Sequence, residues 1–389
     1  MIKVAFEVSD NYSQHNHFLP LAKTLIQDVD FCVSFYTTDK EIAKTFYQSD
    51  LGTEKVIFLR DSFQSEVKKR ALTILKRINF KQLTVLSQKL YGRFKVKKLE
   101  SYNGFYKANL KYFNDFDYIF TTELKGCSEV KTLLKPKLVW LLHGLCANQY
   151  SLTKDWSPDI LVCAQKNLDD YLAKTNYIKE NSKIFDRYYL KFEAVSSLDS
   201  DDFSGFLNDN HTFVYNPHWD AKSSFASWFS HGLEILRIFK LRDDINLIFA
   251  PHINIDRYSM LGDISEFYQC NNIHIDINSH SLVNGTYFKY CDTYIGEQSS
   301  QFFEYSSFRD ISAIFLNLKN ISLTRELSYW SSGDVCTCIR NLENLIDFHS
   351  SGNAKLVDRN IVFKPIELNQ SEALMKDIIL DFYDANNIN

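Results

Sequence analysis

The stretch Asp292-Thr-Tyr-Ile-Gly-Glu-Gln-Ser-Ser-Gln-Phe-Phe-Glu-Tyr305 carries the strongest chemical signal in the chain. It reads as a short buried strand, a sharp turn and a helix opening on Ser299 and Ser300. The first turn of a helix leaves N–H groups unpaired and bears partial positive charge, so hydroxyls and amides there suit a diphosphate. Gln298 adds a side-chain amide beside the serines. Glu304, one turn further in, is placed to take the two hydroxyls of a ribose. Ser299 is equally a favoured helix N-cap, a role compatible with ligand binding.

Two histidines close other apolar runs. His143 follows Trp140-Leu-Leu and precedes Gly144; His252 follows Leu247-Ile-Phe-Ala-Pro. An imidazole of ordinary pKa, about 6.5, can take a hydroxyl proton or donate to a phosphoryl oxygen near neutral pH. A histidine at a strand end is also often satisfied by backbone alone, and both readings stay open. His15 and His17, after the first apolar run, could touch an acceptor, although loop histidines are usually solvated.

The elements that must position these groups alternate along the chain. Short runs rich in Val, Ile, Phe and Tyr fall at Lys3–Val8, Phe31–Thr38, Lys55–Leu59, Asp117–Thr121, Lys137–Leu142 and Ile160–Ala164. Helical or polar sequence separates them, the pattern of a parallel sheet covered on both faces. A second series runs through Thr212–Tyr215, Ile245–Ala250, Ile273–Ile275, Thr293–Ile295 and Ala313–Leu316, with helical spacing over Ser223–Phe239. The polar Ser196–Asp202 reads as a linker. The expectation is an α/β chain of two doubly wound, Rossmann-like domains facing a central cleft: residues 1–195, residues 205–370, and a closing helix at 371–389. In such sheets ligands sit outside the carboxyl ends of the strands.

Composition narrows the class. The chain has 389 residues, room for two domains, with 31 Phe and 22 Tyr against only 12 Gly and 6 Pro, too few turn formers for an all-β sandwich. A formal charge of −4 gives no global reason to bind nucleic acid. The 8 cysteines include no pair of Cys-x-x-Cys units, which argues against zinc and for a reducing compartment. No acidic cage stands at a strand end, so no metal is expected. With neither a signal-peptide pattern nor an apolar run of the ~18–20 residues a bilayer requires, the expected localisation is cytoplasmic. Between Glu66 and Glu100, however, all the charge is basic, from Lys68 to Lys98, interleaved with Leu72, Leu75, Leu83, Leu86 and Phe94. The segment 62–99 reads as an amphipathic helix suited to an anionic membrane surface, or as a core-facing helix with a solvated basic back.

Four islands in sequence order, Trp140-Leu-Leu-His143-Gly144, Tyr215-Asn-Pro217-His-Trp219, Ala250-Pro-His252 and Glu297-Gln-Ser299-Ser300 with Glu304, resemble the CDP-glycerol glycerophosphotransferase family, the teichoic-acid-type polymerases and primases of GT-B fold. The resemblance covers roughly residues 137–345. It implies a catalytic base at His143, a second essential histidine at His252, nucleotide and phosphate contacts at Gln298, Ser299, Ser300 and Glu304, and a cleft floor at Gly144, Tyr215, Pro217 and Trp219. Where the family usually has Thr and Lys after His-Gly, this chain has Leu145 and Asn148. Around Pro-His it has Ala250 and Ile253 instead of a basic residue and Pro, and Glu297-Gln298 replaces Asp-Tyr. The implied branch is divergent.

The expected activity is transfer of a polyol phosphate or sugar from a CDP- or UDP-linked donor to a polysaccharide or lipid-linked acceptor hydroxyl, without a cofactor, in cell-surface polymer synthesis. A basic helix would then place the protein on the inner face of the plasma membrane. The alternatives are a nucleotide-sugar epimerase on a GT-B-like shell and a non-catalytic GT-B-like binding protein.

Overall fold

The computed structural model describes residues 1–8, 12–37, 56–58, 110–122, 131–142, 158–164, 182–196, 203, 205–219, 226–257, 260–277, 281, 284–323, 325–358 and 369–387. The chain divides into two compact units: Met1–His143 with Tyr150–Ser196 and Pro365–Asn389, and Gly144–Gln149 with Ser197–Lys364. His143, Gly144 and the basic segment 62–99 lie outside the described residues.

In the first unit the strands are β1 (Ile2–Glu7), β2 (Phe31–Thr37), β3 (Val56–Phe58), β4 (Tyr118–Thr121), β5 (Lys137–Leu141), β6 (Ile160–Val162) and β7 (Lys183–Phe185). Among the described residues they form one parallel sheet in the order β3-β2-β1-β4-β5-β6-β7. Strands buried on both faces need near-continuous apolar sequence, which is why these runs were visible as runs rather than as alternation. Phe6 on β1 anchors the core, with Phe18 at 4.8 Å, Phe120 at 5.0 Å and Phe35 at 5.6 Å between ring centroids. Helix α1 (Leu19–Gln27), opened by Pro20 in its first turn, buries Leu21, Ala22 and Leu25 in the same cluster. His15 and His17, in the 3-10 turn Tyr12–His17, are buried rather than solvated. His17 packs edge-on against Tyr189, just before α2 (Lys191–Ser196).

The second unit repeats the architecture. Its strands are β8 (His211–Asn216), β9 (Ile245–Phe249), β10 (Ile273–Ile275), β11 (Thr293–Gly296), β12 (Ser312–Leu316) and β13 (Asp334–Cys336), parallel in the order β10-β9-β8-β11-β12-β13. Helices α3 (Trp228–Lys240), α4 (Asn254–Arg257), α5 (Ser300–Phe308) and α6 (Leu342–Ser350) connect them. The α3 stripe Trp228, Ile235, Leu236 and Phe239 lies in the core with Phe213, Tyr215 and Phe249. Trp228 stacks on Phe249 at 4.9 Å, and a Cβ at Gly232 would sit 2.2 Å from the Trp228 ring, so only glycine fits one turn along.

Helix α7 (Gln370–Asn387) returns to the first unit, where Leu374 and Ile378 are fully buried. Asp381 near its end accepts Lys137 Nζ at 2.6 Å, Tyr118 Oη at 2.9 Å and Lys183 Nζ at 3.0 Å. The closing helix expected over 371–389 spans Gln370–Asn387. Strands β7 and β13 were not expected; β13 follows a 3-10 segment, Arg325–Ser332. Helix α3 starts at Trp228, and of the expected helical stretch from Ser223 the residues 223–225 lie outside the described ones.

Candidate functional site

The order of the second sheet locates the site. Chain order runs outward from β8 through β9 to β10, then restarts on the other side of β8 with β11. The carboxyl ends of β8 and β11 therefore flank a topological switch point, where open α/β sheets leave a crevice. The sequence places polar residues at those two ends and at the neighbouring end of β9: Asn216-Pro-His-Trp219, Glu297-Gln-Ser299, and Pro251-His252.

Ser299 is the N-cap of α5. Its backbone is extended, with φ −145° and ψ 138°, and its Oγ accepts the Gln301 N–H at 3.2 Å. The same hydroxyl donates to Asn216 Oδ1 at 3.5 Å. Asn216 is 2% exposed, and its Nδ2 donates to the Ala250 carbonyl at 2.6 Å. One amide thus ties the end of β9 to the mouth of α5. Gln298 is half-buried beside Ser299, Ser300 begins the helix, and Glu304 is buried one turn in.

His252 is held through its main chain, donating to the Pro217 carbonyl at 3.3 Å and accepting the Ile255 N–H at 2.8 Å. Its ring lies 6.3 Å from that of His218 and 6.1 Å from that of Trp219. Desolvation by the surrounding protein, with His218 adding repulsion, pushes the His252 pKa down to about 3. Both effects favour the neutral imidazole. Pro217 is buried, while Trp219 is half-buried. Tyr215 is fully buried on β8, where its hydroxyl meets Ser227 Oγ at 2.7 Å.

Glu297 has no solvent exposure. Its Oε2 accepts the His218 N–H at 2.7 Å and its Oε1 accepts the Ser227 N–H at 2.8 Å, with the Ser227 hydroxyl also on Oε1. Burial raises its pKa to about 7 against these three bonds and the charge of Lys319, which pull it down. Asn216, His218 and Glu297 were not assigned site roles from sequence. The available signal was a polar residue at the last position of a buried strand or just beyond it, since burying such a group costs free energy unless it is bonded.

No protein-family model matches the chain, and no curated protein sequence does. Solved structures match along nearly its whole length. S. aureus MnaA with UDP covers 98% of this chain and 97% of its own at 12% identity, with a TM-score of 0.59. A Neisseria meningitidis UDP-GlcNAc 2-epimerase bound to UDP-GlcNAc covers 98% and 100% at 10% identity, with a TM-score of 0.58. The wall teichoic acid polymerase TagF covers 98% of this chain and 90% of its own at 12% identity, with a TM-score of 0.56. The fold is α/β and GT-B-like, built from two doubly wound domains. Among the described residues no helix is long and apolar enough to cross a membrane.

Proposed function

We propose that the chain is a transferase that moves a polyol phosphate, of the glycerol-phosphate type, or a sugar from a nucleotide-activated donor to an acceptor hydroxyl of a cell-surface polymer. The observation that supports this reading is the serine-capped mouth of α5 at the β8/β11 switch point, tied through Asn216 to Ala250, two residues before His252. The diphosphate of a CDP- or UDP-linked donor would lie against the first turn of α5, with Gln298, Ser299 and Ser300 as its contacts and Glu304 on the ribose. Two of the structurally similar proteins carry UDP or UDP-GlcNAc, and a third is a teichoic acid polymerase, which favours a nucleotide-linked donor.

For phosphoryl transfer, the acceptor oxygen forms a bond to the donor phosphorus while the bond to the nucleoside monophosphate breaks. His143 is proposed as the base that takes the acceptor proton. His252, neutral, would donate one N–H to a phosphoryl oxygen as charge builds there. For sugar transfer the same contacts hold a nucleoside diphosphate leaving group, and the bond breaks at the sugar carbon. This reading requires no resident cofactor, and it places the segment 62–99 against the inner leaflet where lipid-linked acceptors sit.

A second reading, a nucleotide-sugar epimerase, is favoured by the full-length likeness to UDP-GlcNAc 2-epimerases. A screen of CDP-, UDP- and CMP-linked compounds separates the readings. Nucleotide released only when an acceptor is present supports the transferase. Interconversion of UDP-GlcNAc with its 2-epimer supports the epimerase. Binding without turnover of any donor leaves a GT-B-like binding protein.

A further inference from the structure

Glu297 is buried just beyond the carboxyl end of β11, next to Gln298 and Ser299. Glu297 accepts from His218, two residues after β8, and from Ser227, immediately before α3. These are the two ends of the β8–α3 connection, and His218 and Trp219 sit on its first end. The hydroxyl chain fixes the direction of the bonds. Ser227 Oγ donates to Glu297 Oε1, so Tyr215 Oη must donate to Ser227 Oγ. The Tyr329 hydroxyl donates to the Glu297 carbonyl at 3.4 Å. Three donors converge on one carboxylate, and an ionised carboxylate is the side-chain group that accepts at both oxygens with no hydrogen of its own.

We propose that Glu297 is the positioning residue of this site: by holding the main chain at both ends of the β8–α3 connection, its carboxylate sets where the His218 and Trp219 rings stand against His252. This rests on the nucleotide-site reading only for its effect on binding; the ring placement stands on the hydrogen bonds themselves. Protonation of Glu297, or its replacement by glutamine, puts a hydrogen against an N–H donor and releases one end of the connection. With its pKa raised to about 7, the clamp is closed above neutral pH and loosens below it. Among the described residues, the groups facing Glu297 are Tyr215 from β8, His218 from the connection, Tyr294 from β11, Tyr329 from the 3-10 segment before β13, and Lys319 from the turn after β12. Of these Lys319 favours the ionised form.

The test is a pH titration of the His218 and His252 ring signals by NMR in the full chain, for wild type, Glu297→Gln and Ser227→Ala. The wild-type His252 ring signals should shift with a midpoint near pH 7, where burial places the Glu297 carboxyl. In Glu297→Gln the His252 signals should hold the displaced positions across the neutral range, where His252 itself does not titrate. Ser227→Ala removes one donor and keeps both main-chain bonds, so its midpoint should move upward. His218 signals in Glu297→Gln that coincide with wild type above neutral pH would overturn the inference. Should that variant not fold, a Ser227→Ala midpoint equal to wild type overturns it instead. In parallel, UDP and CDP should bind Glu297→Gln about tenfold more weakly than wild type, the scale of one bond to a charged group. The titration of the nucleotide phosphates cancels in that ratio. If wild type binds neither nucleotide, the nucleotide reading fails while the ring signals still decide the positioning role. If wild type binds and Glu297→Gln binds equally, the positioning role fails.

Discussion

His218 and His252 stand with ring centroids 6.3 Å apart at the carboxyl ends of adjacent strands, and the pair drives the His252 pKa downward together with burial. Both effects disfavour a second positive charge. In the proposed phosphate site His252 would therefore act as a neutral hydrogen-bond donor rather than as a cation. His252→Ala should lower turnover of the donor found by screening by about 10²- to 10³-fold, the scale of one lost charge-stabilising donor. Because His252 stays neutral until about pH 3, His252→Gln should keep the limbs of the wild-type pH–rate profile. An acid limb near neutral pH that vanishes in the variant would assign that ionisation to His252 and contradict its neutrality.

Ser299 can be separated as cap and as ligand by substitution. Its Oγ accepts the Gln301 N–H, so Ser299→Ala should cost about 1 kcal/mol of unfolding free energy, read from denaturant curves. Ser299→Asp caps as well as serine and should leave stability near wild type. The added negative charge should nevertheless oppose a diphosphate at the same helix mouth. Stability retained with UDP or CDP binding lost is the expected pair of results; binding retained would make Ser299 a cap alone.

Glu304→Ala should weaken nucleotide affinity by about tenfold while changing the chemical step less, since a ribose contact acts in ground and transition states alike. Calorimetric titration with UDP and CDP gives the affinity, and single-turnover kinetics give the step. Equal affinity in the variant would remove the ribose role.

Away from the site, a hydrogen-bonded chain crosses the amino ends of four strands. It runs His211 Nε2 to Thr293 Oγ1 at 2.7 Å, Thr293 to Ser312 Oγ at 2.8 Å, Ser312 to His349 Nδ1 at 2.7 Å, and His349 Nε2 to Asp334 Oδ2 at 3.0 Å. Burial lowers the pKa of His349 despite the pull of Asp334, and burial lowers that of His211 despite Asp292. A histidine whose folded pKa is below its unfolded 6.5 stabilises the fold fully above that pH, and the contribution falls as pH drops below it. Glu297 has the opposite sign: its folded pKa of about 7 exceeds the ordinary 4.5, so its contribution declines as pH rises between those values. Unfolding free energy measured against pH should therefore lose part of its acid-side decline in His349→Gln. In Glu297→Gln the decline should become steeper between those two values. An unchanged slope in His349→Gln would show that the chain does not report protonation.

Much of this architecture was legible in the sequence because buried parallel strands are short apolar runs. Val4, Phe6, Val33, Phe35, Ile248 and Phe249 all fall in such runs and in the core. The edge strands β7 and β13 were not legible, since Lys183-Ile-Phe and Asp334-Val-Cys are three residues long and too short to show a pattern. Ser299 and His252 stood out because each marks the end of an apolar run. The roles of Asn216, His218 and Glu297 did not, because their bonds join residues 34 to 83 positions apart. No local spacing encodes such contacts. They arise only once β8, β9 and β11 lie side by side.

The most direct test of the nucleotide site is the structure of the protein with UDP or CDP bound. The diphosphate should rest on the first turn of α5 within hydrogen-bond reach of Ser299, with the ribose hydroxyls on Glu304. A nucleotide seated away from the β8 and β11 strand ends, or none bound at millimolar concentration, would contradict the account.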